Sequence, residues 1–88
     1  MPAKILVVED EPRLSALLAD YLRQAGYEPH VVGDGREAVP RVRELAPELV
    51  LLDLMLPGRD GIEVCKEIRS FSGIPIVMGT ARVAEIDR

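Results

Sequence analysis

Two apolar runs of this chain end in acid. Lys4-Ile5-Leu6-Val7-Val8 stops at Glu9-Asp10-Glu11, and Leu49-Val50-Leu51-Leu52 stops at Asp53. If both runs are parallel strands of one sheet, their carboxyl ends lie together and bring Glu9, Asp10 and Asp53 to one point. Carboxylates held that close repel one another, which raises pKa values or demands a cation. Hard oxygen ligands with room for water suit Mg2+ best. The expected chemistry is a cation site with a carboxylate nucleophile in it.

Acids at strand ends are common, because strands end in solvent, and any one of these residues alone is more often a solvated loop residue than a ligand. What singles them out is the conjunction: a carboxylate pair after one buried strand, a lone Asp after a second, and Thr80 after a third apolar run, Ile74 to Met78.

The elements that must position these residues alternate. Ile5 to Val8 is a short continuous apolar run that reads as a strand buried on both faces. Pro12 suits the first turn of a helix, where its missing N–H costs nothing. Leu14, Leu17, Leu18, Tyr21, Leu22 and Ala25 then recur at helical spacing until Gly26. Glu28 to Val32 is a weaker strand, and in Gly33-Asp34-Gly35 the Asp can cap the next helix. That helix carries Ala38, Val39, Val42 and Leu45 inward. Pro40 falls inside it, at a cost of roughly 3 kcal/mol unless the helix bends or starts late, which predicts an irregular first turn.

Glu48 to Leu52 is the third strand, and Pro57-Gly58 makes the turn of the loop that follows. Gly61 to Ser70 is expected as a helix burying Ile62, Cys65 and Ile68. Ile74 to Met78 is a fourth strand with Pro75 near its start, and Ala81 to Arg88 reads as the start of a further helix. The alternation β-α-β-α-β-α-β with short connections implies a parallel sheet with helices on both faces. The functional crevice of such a sheet lies beyond the carboxyl ends of its strands, where the acids are.

The net charge of −4 and the scatter of the eleven Lys and Arg residues argue against direct nucleic-acid binding, which needs a basic patch to neutralise phosphates. Cys65, the single cysteine, excludes an internal disulfide, fits a reducing cytoplasm, and reads as a small buried hydrophobe rather than a reactive thiol. No signal peptide is visible and no apolar stretch reaches membrane-spanning length. His30 lies on the second strand away from the strand tips and reads as a structural or surface residue rather than a relay. Arg59 and Asp60 read as solvated loop charges, with Arg59 placed to touch an incoming partner.

Three motifs together carry a family resemblance. Lys4-Ile-Leu-Val-Val-Glu-Asp-Glu-Pro12, Leu49-Val-Leu-Leu-Asp-Leu-Met-Leu-Pro-Gly-Arg-Asp-Gly61 and Ile74-Pro-Ile-Val-Met-Gly-Thr-Ala-Arg82 resemble, in order and spacing, the successive motifs of the receiver domain of two-component response regulators. The resemblance implies a flavodoxin-like three-layer α/β/α fold, strand order 2-1-3-4-5, with its switch point between strands 1 and 3. It implies that Asp53 accepts a phosphoryl group from a phosphohistidine of a sensor histidine kinase, and that the resulting acyl phosphate is later hydrolysed. It further implies that Asp10 binds Mg2+ directly, Glu9 mainly through water, and the backbone carbonyl of Met55 completes the protein ligands. Thr80 and the backbone N–H of Ala81 are implied as partners of the phosphoryl oxygens. Such a chain is a phosphoacceptor rather than an enzyme with a separate substrate.

Departures from the family pattern set further expectations. A complete receiver has five strands, a lysine at the end of the fifth and an aromatic switch residue on it. Residues 1–88 are therefore expected to form an incomplete receiver with four strands and three to four helices. Neither Lys4 nor Lys66 stands in for that lysine, since one starts a strand and the other lies in mid-helix. Gly79 replaces the usual bulky apolar residue before the Thr. An apolar edge at Ile74 to Met78 and an uncovered side of the first helix predict a homodimer or larger oligomer. The motif style resembles regulators with a DNA-binding effector and a role in transcription regulation.

The alternative is a phosphorylation-incompetent fragment that acts only as a self-associating interaction module. A flavin carrier of the same topology is disfavoured, because Glu9-Asp10-Glu11 repels the phosphate that such a loop cradles. A metal-dependent phosphatase shares the aspartyl chemistry, but no separate general acid follows Asp53 at close spacing.

Overall fold

The computed structural model describes residues 2–53 and 56–79. Its elements run β1 (Lys4–Val8), α1 (Pro12–Gln24), β2 (Glu28–Val32), α2 (Gly35–Leu45), β3 (Leu49–Leu52), α3 (Gly61–Arg69) and β4 (Ile76–Met78). All pairings are parallel and the sheet order is β2-β1-β3-β4. β1 is thus an inner strand, paired Val8 to Val32 on one side and Val8 to Leu52 on the other. Its unbroken apolar run follows from that position, since both of its faces are covered.

Alternate side chains of the strands serve opposite faces. Leu6, Val8, Val50 and Leu52 join Ala38, Val39 and Val42 of α2 and Val64 and Ile68 of α3 in one buried cluster. Ile5 and Val7 are buried on the other face, where α1 packs against β1 and β2. Truncating a residue such as Ile68 to Ala in so closed a cluster costs about 2–5 kcal/mol.

Several details differ from the sequence reading. Gly35–Leu45 is one α-helix, so Pro40 neither delays nor divides it. The irregularity is confined to an i→i−3 bond closing the first turn, from Glu37 N–H to the Asp34 carbonyl at 3.0 Å. Proline here forfeits only the bond to the Arg36 carbonyl, and its ring is exposed. On α3 the buried positions are Gly61, Val64 and Ile68, while Ile62 is 50% exposed and Cys65 half-buried. At roughly 100° per residue, Ile62 and Ile68 point about 120° apart and cannot share one narrow face, whereas 61, 64 and 68 fall within about 60°. β4 begins at Ile76 rather than Ile74. Pro75 stays ahead of it and gives its carbonyl to Val50 N–H at 3.1 Å. The expected helix from Ala81 lies outside the described residues.

Candidate functional site

The strand tips are registered by backbone bonds. Glu9 N–H donates to the Val32 carbonyl at 3.0 Å and Asp53 N–H to the Val8 carbonyl at 2.9 Å. Glu9 and Asp53 therefore both follow immediately on the paired residues Val8 and Leu52, side by side at the carboxyl edge of the sheet. Glu9 is 4% exposed and Asp53 1%, while Asp10 faces solvent. One carboxylate oxygen from each of Glu9, Asp10 and Asp53 lies within 4.8 Å of the other two.

This arrangement is electrostatically costly. Two full charges about 5 Å apart at an effective dielectric of about 20 repel by roughly 3 kcal/mol. The Glu9 carboxyl is accordingly raised above its ordinary value. Burial contributes most, with the Asp53 charge, a hydrogen bond to Asp53 and the Asp10 charge acting in the same direction, against a hydrogen bond from Glu11 N–H that lowers it. That last bond runs to Glu9 Oε2 at 3.0 Å. Three hard-oxygen donors, two of them buried and one open to solvent, suit a divalent ion that keeps part of its water shell. The donor set fits Mg2+.

Glu11 does not join the cluster. Its Oε1 accepts from Arg13 N–H at 2.8 Å and Leu14 N–H at 3.2 Å, capping α1 just ahead of Pro12. The carboxylate also sits at the positive end of that helix. The sequence reading missed this role, although an acid directly before a proline at the first helical position is its signal.

Of the two charges expected to be solvated in the loop after Asp53, Asp60 is exposed and Arg59 half-buried, and both also have protein partners. Arg59, 31% exposed, is ion-paired with Glu67 and reaches Glu63 at 3.8 Å. Asp60 caps α3, its Oδ1 accepting from Ile62 N–H at 2.8 Å. Asp34 caps α2 as expected, accepting from Arg36 N–H at 2.7 Å, and the Arg36 guanidinium at 2.8 Å holds its carboxyl below the usual range. His30 pairs with Glu28 at 2.6 Å on β2, away from the acids. Gly79 N–H donates to the Leu52 carbonyl at 2.9 Å, and its φ of 134° is one that a bulky residue rarely adopts. Met55, Thr80 and Ala81 lie outside the described residues.

Comparison with known proteins agrees with this geometry. The family model of the response regulator receiver domain matches residues 5–88. The chain is 59% identical over 85 residues to the transcriptional regulatory protein BaeR of Escherichia coli O6:H1, covering 97% of this chain and 35% of that protein. It is 53% identical over 87 residues to the DNA-binding response regulator MtrA of Mycolicibacterium smegmatis, covering 99% of this chain and 38% of that protein. The chain thus spans little more than a third of the length of these relatives. Among solved structures, the BeF3-activated N-terminal receiver domain of Klebsiella pneumoniae RstA superposes with a TM-score of 0.83 at 40% identity, over 85% of this chain and 64% of that one. The chemotaxis response regulator CheY4 of Vibrio cholerae gives 0.84 at 31% identity, over 89% and 68%. With its flavodoxin-like parallel sheet and its acids at the strand tips, the chain belongs to the response regulator receiver family.

Proposed function

We propose that this chain is the phosphoacceptor of a two-component pathway, with Asp53 as the residue that takes the phosphoryl group from a phosphohistidine of a sensor histidine kinase. The observation that carries the reading is the acid cluster: a nearly fully buried Asp53 whose carboxylate meets those of Glu9 and Asp10 within 4.8 Å. An Asp53 oxygen attacks phosphorus, the new O–P bond forms as the P–N bond breaks, and the electron pair leaves with the imidazole. The product is an acyl phosphate, which water later returns to carboxylate and inorganic phosphate.

Phosphoryl transfer has a loose transition state with charge on its equatorial oxygens, so the protein's task is to position groups and neutralise charge. Glu9, Asp10 and Asp53, with the backbone carbonyl of Met55, are the residues that would hold Mg2+, which supplies the positive charge that lets an anionic donor approach an anionic acceptor. Glu9 and Asp10 bind and orient. Burial of Asp53 keeps water from its unmodified carboxylate. Thr80 and the N–H of Ala81 are proposed as hydrogen-bond donors to the phosphoryl oxygens. The chain is a self-modifying acceptor, not an enzyme turning over a separate substrate.

The names of BaeR and MtrA support an output in transcription. With a net charge of −4, this segment is proposed to control such an effector without touching DNA itself. A cytoplasmic setting fits the free thiol of Cys65, and none of the described helices is long and apolar enough to cross a membrane. The primary reading is tested by incubating the protein with a small phosphodonor and Mg2+. One added phosphoryl group that depends on Asp53 is expected, and its absence overturns the reading.

A further inference from the structure

One turn that carries none of the clustered acids touches both of the loops that do. Val32, at its start, accepts the Glu9 N–H at 3.0 Å. Gly33 lies against the same loop, so that a methyl group built on it would meet the Glu9 carbonyl oxygen at 3.9 Å and Asp10 Cα at 4.0 Å, ordinary contact distances. Gly35 lies against the loop after Asp53. Its N–H donates to the Pro57 carbonyl at 3.0 Å, and a methyl on Gly35 would stand 2.7 Å from the Arg59 carbonyl oxygen and 3.1 Å from Arg59 N. Gly58, with φ +87°, comes so close to Asp34 that a methyl would fall 2.0 Å from its Oδ1. Asp34 cannot swing aside without uncapping α2 and releasing Arg36.

We propose that the Gly33-Asp34-Gly35 turn is the gauge of the acid site. It seats Pro57-Gly58-Arg59 on one side and the Glu9-Asp10 loop on the other, and so fixes the two relative to each other. Gly35 is the positioning residue for cation binding and phosphoryl acceptance. The inference rests on the function proposed above and deepens it.

The physical reason lies in what is pinned. Asp53 is held through its N–H on the Val8 carbonyl, and Pro57 through its carbonyl on the Gly35 N–H. The turn stands between the loop of Glu9 and Asp10 and the loop of Pro57 to Arg59, so a displacement at either contact is passed on to the acids. A side chain at 35 meets backbone rather than the flexible end of a neighbour, so relief requires the whole loop to shift away. A shift of about 1 Å at a reacting centre costs on the order of 100-fold in rate.

The test compares Gly35→Ala with Gly73→Ala in the intact protein, since a methyl at Gly73 meets nothing within 4 Å. Mg2+ affinity is measured by calorimetric titration and the initial rate of Asp53 phosphorylation with acetyl phosphate, both where circular dichroism shows the variant folded. Gly35→Ala is expected to lose about tenfold or more in both, and Gly73→Ala to stay within about twofold of the parent. If the parent binds Mg2+ and is phosphorylated while Gly35→Ala matches it on both readouts, the gauge is overturned and the proposed function stands. A parent that does neither overturns both. Should Gly35→Ala fail to fold, amide exchange on the parent decides. Because linkage is reciprocal, Mg2+ is expected to slow exchange of the Gly35 amide about threefold or more, and unchanged exchange overturns the inference.

Discussion

The loop after β1 is tied mostly within itself, with the Val32 carbonyl on Glu9 N–H as its outside anchor, whereas the loop after β3 leans on its neighbours. In the first, Glu11 N–H bonds to the Glu9 side chain and Glu11 in turn caps α1, all within six residues. In the second, the anchors come from elsewhere: the Val8 carbonyl for Asp53, Gly35 and Asp34 of the β2–α2 turn for Pro57 and Gly58, and Glu63 and Glu67 of α3 for Arg59. The Glu9-Asp10 side of the acid cluster is thus held mainly from within its own loop, and the side after Asp53 mainly by the tertiary fold. Damage to the first should alter ion affinity with the fold intact, and damage to the contacts of the second should reach Asp53 from a distance.

The largest effect expected from the first loop concerns metal. Mg2+ at 100 times its Kd should stabilise the protein by about 2.7 kcal/mol, which for a domain of this size raises the melting temperature by roughly 10 to 20 °C. Asp10→Asn should remove most of that gain while leaving the metal-free melting temperature unchanged or higher, because Asp10 is exposed and its charge raises Glu9. An undiminished Mg2+ response in Asp10→Asn would place the ion elsewhere.

A smaller effect is the metal-free dependence on pH. The folded-state pKa of Glu9 is raised above its ordinary value of 4.5, so the folded protein holds this proton more tightly than the unfolded chain does. Stability is therefore lost as pH rises from about 4.5 through the raised value, and is level above it. Saturating Mg2+ or Glu9→Gln should flatten this slope in thermal melts. Asp34 acts oppositely and in a separate window. Its lowered pKa gives a contribution present above 3.8 and lost as pH falls further. A metal-free melting temperature that climbs as pH rises above 4.5 would contradict the electrostatic picture of the acid cluster.

The smallest effect tests the cap. Glu11→Ala should cost about 1 kcal/mol, with a range of about 0.5–2, and lower the melting temperature by roughly 4–8 °C without changing Mg2+ affinity tenfold. A large loss of affinity would mean that Glu11 belongs to the ion site after all.

What could be read from the residues follows the same division. The β1 and β3 runs were legible because a strand covered on both faces must be apolar throughout, and the acids that end them mark where cover stops. The meeting of Glu9, Asp10 and Asp53 followed from parallel pairing alone. The inward face of α3 was misread because Ile62, the more hydrophobic residue, drew attention from Val64, the one on the buried stripe. Pro40 was read as a disruption because propensity speaks about isolated helices, whereas α2 is held by the burial of Ala38, Val39 and Val42. The seating of Gly58 on Asp34 joins residues far apart in the chain, and no local pattern announces it; the pairs of Arg59 with Glu63 and Glu67 are local, and the i,i+4 spacing of the first was their signal.

The most direct measurement is the intact mass of the protein after incubation with acetyl phosphate and Mg2+, run in parallel on Asp53→Ala. The expected result is one added phosphoryl group in the parent, none in Asp53→Ala, and none in the parent when the metal is chelated. A phosphoryl group still present on Asp53→Ala, or a parent that never gains one, contradicts the assignment of Asp53 as the acceptor.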